Sequence, residues 1–277
     1  VGGGYGDADW LRRELALVTR EARRPWGVGL ITWSIGPGIV DLALAQRPAA
    51  FMLSFGDPRP HAAAIKAAGC KLICQVQGLA ETRLAQQAGA DLIVAQGTEA
   101  GGHGGQRATL PLVPAIVDAV APTPVVAAGG IADGRGLAAA LMLGAHGALI
   151  GTRFCASTEA LYHDKAKQRL VAAHGDETAR TRVFDIVRGY AWPQPYTGRA
   201  IRNAFMQRWD GREDELAAAL ASEGPAYQAA TRNSEFDTAL TWAGEAVDLI
   251  DSVADAGTLV AQISADAETR LRAGAGL

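Results

Sequence analysis

Short apolar runs alternate with alanine-rich stretches of helical period along the first part of the chain. The runs at 26–33, 49–56, 71–77, 91–97, 124–130 and 147–153 are apolar at nearly every position. That pattern predicts strands covered on both faces, which means a parallel sheet. Between them the spacing predicts helices near 8–23, 37–46, 58–68, 79–88, 111–120 and 133–143. The segments AIKAAGCKLICQV, LAQQAGADLIVAQ and ALMLGAHGALIGT repeat one plan of helix, glycine, short turn and strand. Gly69, Gly89 and Gly144 stand where a helix ends in a left-handed residue, a conformation glycine adopts without a Cβ penalty. Open doubly wound sheets and closed barrels both use such βα units. No Gly-x-Gly-x-x-Gly turn with an acid about 20 residues later is present, and that favours the barrel. Later stretches, ELAAALA, DTALTWAGEAVDLIDSV and LVAQISADAETRL, have helical periodicity and read as helices packing back on the body.

Composition narrows the picture. With 277 residues, 49% of them apolar and 20% charged, the chain can bury a large core. The net charge is −3 and the basic residues are dispersed, so neither nucleic acid nor an anionic membrane is indicated as partner. A small molecule is the expected ligand. Cys70, Cys74 and Cys155 are an odd count without a metal-like second pair, which fits free thiols in a reducing cytoplasm and no metal site. No apolar run reaches the roughly 20 residues of a membrane helix, and no basic-then-apolar leader is seen. The first residue is Val1, followed by GGGYGD, a start that reads like the middle of a larger protein.

In a barrel, chemistry gathers at the strand C-termini. Here those ends carry Gln75 and Gln77, Gln96 followed by GTEAGGH, AAGG at 127–130, and GTR at 151–153. Any one glycine cluster reads as a tight turn. Taken together, Gly129 and Gly130 before a helix opening near Asp133, with Gly151 and Thr152 after the next strand, read as an anion pocket and favour a phosphorylated ligand. In AQGTEAGGHGG, Gly101, Gly102, Gly104 and Gly105 would clear room for a planar ligand, with His103 at its edge. His103 then reads either as a general acid or base, its ordinary pKa being about 6.5, or as a loop histidine bonded to a carbonyl. His61, His146, His163 and His174 read as surface or helix-terminal residues. Cys74 reads as core, and no basic cluster marks Cys155 as reactive. Glu99 is expected to bind loop N–H groups or an arginine. Tyr190, Trp192 and Tyr196 read as packing residues, with a substrate lid as the alternative. Arg199 and Asn203, one helical turn apart, suit a clamp.

The stretches AQGTEAGGHGG, PVVAAGGIADGRGLAAALMLGAHGALIGTRF and RTRVFDIVRGYAWPQPYTGRAIRN resemble the FMN-dependent nitronate monooxygenases, formerly 2-nitropropane dioxygenases, over Gly2 to about Gly257. The resemblance implies an α/β TIM-type (βα)8 barrel with a C-terminal helical segment, divided as a barrel body at 1–157, a lid or helical insertion at 158–212 and packing helices at 213–277. It implies oxidation of alkyl nitronates or nitroalkanes with O₂ to a carbonyl compound and nitrite, and a homodimer is an option for assembly. His103 matches the family's base. Gln75, Gln96, Ala100 and Gly101 match positions touching the flavin, and Ala128, Gly129, Gly130, Gly151 and Thr152 match the FMN phosphate grip. Against the family pattern, about six of the eight strands are expected here, the GGGYG start matching a loop after the second strand. A Pro-Met-Ala type segment that packs on the flavin then has no counterpart, and two sheet edges are expected to be exposed. Two alternatives remain: the related FMN-dependent enoyl-acyl carrier protein reductases, which share EAGGH and AAGGIADGRG, and a non-catalytic fragment binding phosphate ligands or partner proteins.

Overall fold

A computed structural model describes residues 1–274. Its parallel sheet contains β1 (Gly2–Gly4), β2 (Gly27–Ile31), β3 (Ala50–Ser54), β4 (Lys71–Val76), β5 (Leu92–Gln96), β7 (Val125–Ala128) and β8 (Ala148–Leu149), in the order β1-β2-β3-β4-β5-β7-β8. A second, antiparallel sheet has the order β6-β10-β9, with β6 (Gly102–Gly104), β9 (Thr178–Thr181) and β10 (Thr197–Ile201). The fold is α/β, a curled parallel sheet with helices. All six runs expected as strands form strands. The seventh is β1: Gly2–Gly4, expected as a loop, pairs in parallel with β2, Gly2 opposite Gly29. Three glycines offer no side chain to read, so periodicity could not reveal this strand. Gly3 is placed so that a Cβ would meet Leu30 Cδ2 at 2.4 Å, and the missing side chain lets the strand close on its neighbour.

The chain forms two compact units. The first comprises Val1–Gln96, Pro111–Ala127 and Gly144–His146; the second comprises Gly97–Leu110, Ala128–Leu143 and Gly147–Leu277. In the first, strand pairs keep a continuous register from Ala50↔Lys71 to Ser54↔Gln75 and from Ile73↔Leu92 to Val76↔Ala95. Phe51, Leu72 and Ile93 are fully buried along these strands, as expected of a sheet covered on both faces. The helices begin on recognisable signals. Asp7 accepts from Asp9 N and Trp10 N at the start of Ala8–Glu21, and Pro37 opens Pro37–Leu44. Gly69, Gly89 and Gly144 have φ of +76°, +71° and +90°, the left-handed ends that the repeated plan requires.

In the second unit, helix Ala256–Gly274 packs on helix Gly134–Met142. A Cβ on Gly134 would lie 2.5 Å from Ala267 N, so the two backbones meet there. A separate core gathers Phe184, Met206, Trp209, Leu216 and Tyr227 beneath β9 and β10. No helix among the described residues is long and apolar enough to cross a membrane.

Two predictions follow from the first unit's core. Phe51→Ala should cost about 3–5 kcal/mol in urea unfolding, the usual loss for a buried phenyl ring. Burial pushes the Cys74 thiol up from 9.0 to about 12. Between these values the unfolded chain has released a proton that the folded chain keeps, so this group's contribution to stability is full below pH 9 and is lost as pH rises toward 12. Alkylation of Cys74 at pH 8 should accordingly be negligible in the folded protein and complete once urea unfolds it. Equal rates in both states would contradict the burial.

Candidate active site

The glycine-rich segment after β5 is held open by arginines rather than by its own sequence. Thr98 donates its N–H to Arg107 O at 2.8 Å. Its carbonyl oxygen accepts from Arg180 Nε at 3.2 Å, Arg180 Nη2 at 3.1 Å and Arg199 Nε at 3.0 Å. Arg180 also reaches Gly104 O at 3.3 Å, so one guanidinium ties both ends of the loop around His103. Arg199 pairs with Glu245 at 2.7 Å and donates to Thr178 Oγ1 at 3.2 Å. Burial first, and then the neighbouring Arg199 charge, bring Arg180 down from its ordinary value to about 10, while Glu245 and Glu99 oppose that shift. It stays a cation at neutral pH. Arg199 therefore is a clamp, but it sits on β10, not one helical turn from Asn203. Asn203 instead caps helix Ala204–Trp209 by accepting from Met206 N.

His103 is the central residue of β6, opposite Gly198 of β10. Its Nε2 lies 2.9 Å from both Oδ1 and Oδ2 of Asp185, and the two side chains are 7% and 3% exposed. The Trp192 ring lies parallel to the imidazole, centroids 3.5 Å apart at 8°. Trp242 presents an edge at 5.1 Å and 63°. Gly198 makes that contact feasible, since a Cβ there would be 2.4 Å from the Trp242 ring. Tyr196 braces Trp192 edge-on at 6.2 Å. His103 is thus an ordered, buried side chain between a carboxylate and two indoles, not a histidine in a loose loop.

The glycines beside it serve partly for chain-to-chain approach. A Cβ on Gly101 would lie 2.7 Å from Ala243 C and Gly244 N, so the room expected there for a planar ligand is filled by backbone. Gly102 has φ +74° and open space around its Cβ position. Glu99 does what was expected of it: its carboxylate accepts from Thr109 N at 3.0 Å and Thr109 Oγ1 at 2.7 Å. Ala100 and Ala128 are buried, and Gly97 N donates to Ala128 O at 2.9 Å. Gly129 and Gly130 follow with φ of +100° and +71°. Asp133 caps helix Gly134–Met142 through Arg135 N and Gly136 N, so those amides serve the chain's own carboxylate rather than an external anion. Thr152 Oγ1 accepts from Gly244 N at 3.0 Å, and Gly151 has no atom within 4 Å of its Cβ position. A cavity of about 420 Å³ beside Gly129 and Gly130 is lined also by Glu99, Ile131, Glu245 and Asp248. Neither His103 nor the 151–152 turn lines it, and its three carboxylates disfavour a phosphate there.

In the first unit, Gln75, Gln77 and Gln96 converge. Gln96 Oε1 accepts from Gln75 Nε2 at 3.0 Å and from Gln77 Nε2 at 2.8 Å. Gln77 Oε1 is buried with no hydrogen-bond partner among the described residues. An orphaned buried acceptor costs about 1–3 kcal/mol unless a donor answers it. The imide N–H of a flavin is such a donor, so the chemistry of these three glutamines fits a flavin ring.

The histidines outside this region behave as the sequence suggests, with one variation. His163 accepts from Lys165 N at a helix start, His174 stands at another helix start, and Val125 N donates to His146 Nδ1 at 3.4 Å. His61 is buried inside helix Arg59–Ala67. Asp185, Trp242, Gly198 and Arg180 were not singled out by sequence reading. A signal for Asp185 exists: it is the one acid inside VFDIV, a helix whose Val183, Phe184 and Val187 are core residues.

The nitronate monooxygenase family model matches residues 31–266. Among curated proteins, nitronate monooxygenase npaC of Metarhizium robertsii is 37% identical over 85% of this chain and 71% of its own length. The nitronate monooxygenase of Neurospora crassa is 34% identical over 89% and 72%. Putative monooxygenase Rv1533 of Mycobacterium tuberculosis is 40% identical over 62% of this chain, which spans 44% of that relative's length. Among solved structures, FabK from Thermotoga maritima has a TM-score of 0.84 at 27% identity, covering 97% of this chain and 84% of that one. Nitroalkane oxidase from Streptomyces ansochromogenes has 0.82 at 26% identity, covering 99% and 89%.

The arginine grip on Thr98 yields a test. Arg199→Met removes the charge-assisted bond to Thr98 O, worth about 1.5–3 kcal/mol, together with the contacts to Thr178 and Glu245. Amide exchange at residues 101–104 should then quicken by roughly 10- to 100-fold. Unchanged exchange would show that Arg180 suffices alone.

Proposed function

Because this chain belongs to the nitronate monooxygenase family, a family of oxidoreductases, we propose that it uses FMN and O₂ to oxidise alkyl nitronates, and nitroalkanes after deprotonation, to a carbonyl compound and nitrite. The observation that carries this reading is the buried imidazole of His103, gripped by Asp185 and stacked under Trp192. A histidine so ordered is prepared for proton transfer rather than for a passing carbonyl bond.

The flavin, when bound, supplies the electron transfer and oxygen chemistry. The remaining work falls to side chains and main chain. Gln75 and Gln96 orient the ring, and Gln77 Oε1 offers it an acceptor. Ala100, Gly101 and Ala128 present backbone, while Gly151 and Thr152 hold the phosphate, Thr152 keeping its own hydroxyl proton to donate; Gly129 and Gly130, expected to share that grip, serve the turn instead. His103 takes the α-proton of a neutral nitroalkane. Trp192 lies within the 158–212 segment, which supports reading that segment as a lid. Three free thiols suit a reducing cytoplasm.

The likeness to FabK keeps reduction of an enoyl thioester by a nicotinamide donor as a second reading. Nitrite release in air, against nicotinamide oxidation with an enoyl thioester, separates the two. On the first reading the purified chain takes up FMN with its absorption bands, and His103→Asn leaves those bands intact. That variant should slow turnover of neutral nitroalkanes by roughly 10²- to 10⁴-fold, the usual contribution of a positioned base, while sparing preformed nitronates. Equal losses on both substrates would remove His103 from the base role.

A further inference from the structure

In the first unit, one corner of the sheet joins an orphaned acceptor to a strained backbone. Gln75 in β4 and Gln77 just past its end are two residues apart, so their side chains leave the sheet on the same side, toward Gln96. The main chain of Gln77 is fixed by its N–H, which donates to the Glu81 carboxylate on helix Leu79–Gln87. Its amide is fixed by the bond from Nε2 to Gln96 Oε1 at 2.8 Å. Turning the amide over would set two acceptor oxygens against each other with no hydrogen between them. Oε1 is therefore held away from Gln96, on a residue that is 5% exposed, and has no hydrogen-bond partner among the described residues. Phe55, directly after β3, has φ +61°, and a bulky side chain in the left-handed region is an outlier that folds keep mainly at functional sites. Gly56 follows at φ +148°, where a Cβ would press on Trp33 N at 3.1 Å. Phe55, Gly56, Gln75 and Gln77 line one cavity of about 10 Å³, the room of a single small group rather than of a whole ring.

We propose that Gln77 is the specificity-determining residue of the ring site: its Oε1 selects a planar heterocycle that presents an imide N–H, as a flavin does at N3, and rejects one whose imide nitrogen is alkylated. A buried oxygen without a partner gains most from a donor and loses most when a methyl group takes the donor's place. Gln75 and Gln96 cannot make that choice, since their mutual bond and the bond from Gln77 leave Gln96 Oε1 already served. The inference rests on the FMN reading above and adds which atom discriminates.

The test compares binding of FMN and of N3-methyl-FMN, in which a methyl group replaces the imide hydrogen, to the whole chain and to Gln77→Met, followed by quenching of flavin fluorescence. The wild type should bind FMN roughly 10- to 100-fold more tightly than the methylated flavin, the span of one buried hydrogen bond kept or lost. In Gln77→Met, which keeps a long side chain but removes the amide oxygen, FMN should weaken by a similar factor and the two flavins should bind within about threefold of each other. Equal binding of both flavins by the wild type would overturn the proposal. A preference that survives in Gln77→Met would also overturn it, since the methyl group would then be excluded by shape alone. If FMN itself does not bind, the FMN reading falls and the inference with it; if FMN binds and methylation costs nothing, that reading stands and the inference alone fails. Should Gln77→Met not fold, FMN carrying an NMR-active nitrogen at N3 decides with the wild type. Its bound N3–H should move downfield and exchange with water at least roughly 10-fold more slowly than in free FMN, and a signal with the free position and rate overturns the proposal.

Discussion

One peptide oxygen governs the second unit. The carbonyl of Thr98 receives three N–H bonds from two guanidinium groups. Burying two like charges side by side is costly, several kcal/mol per ion before compensation. The cost is met by the carbonyls of Thr98, Gly104 and Thr197 and by Glu245. A run of glycines has no side chains with which to anchor itself and loses more conformational freedom on ordering than any other sequence. The arginines supply that anchor from β9 and β10. Because Arg180 spans from Thr98 to Gly104, the strand carrying His103 is drawn into register with β10, and the imidazole is delivered to Asp185 and the two indoles.

Glycine has two separate uses in the same few residues. At Gly101 and Gly198 it lets other protein atoms approach, backbone in one case and the Trp242 ring in the other. At Gly129 and Gly130 it supplies positive φ in a turn. Gly151 and Gly102 face open space. A glycine-rich stretch read without its surroundings looks uniformly like room for a ligand, although part of that room is taken by the chain itself.

The βα architecture was legible because burial on both sheet faces leaves a continuous apolar signature in each strand, and because three helices end on the same glycine device. β1 escaped for the opposite reason, having no side chains to form a pattern. His103 stood out by its glycines, and the positions proposed to hold a flavin rest on a dense family resemblance. Asp185 was not, since its meaning depends on an 82-residue separation that only folding closes. Arg199 was recognised as a clamp yet assigned to the wrong kind of element: polar residues four apart suggest a helix, while TGRAI forms a strand whose pairing with β6 and β9 overrides that spacing.

The glutamine trio has a sense of direction. With both lone pairs of Gln96 Oε1 occupied by its two neighbours, the amide is locked against flipping. Gln77, whose Nε2 makes one of those bonds, keeps a buried oxygen that still has room to accept. Two head groups of the same kind thus differ in what they can do next: one oxygen is filled, and the other asks for a hydrogen.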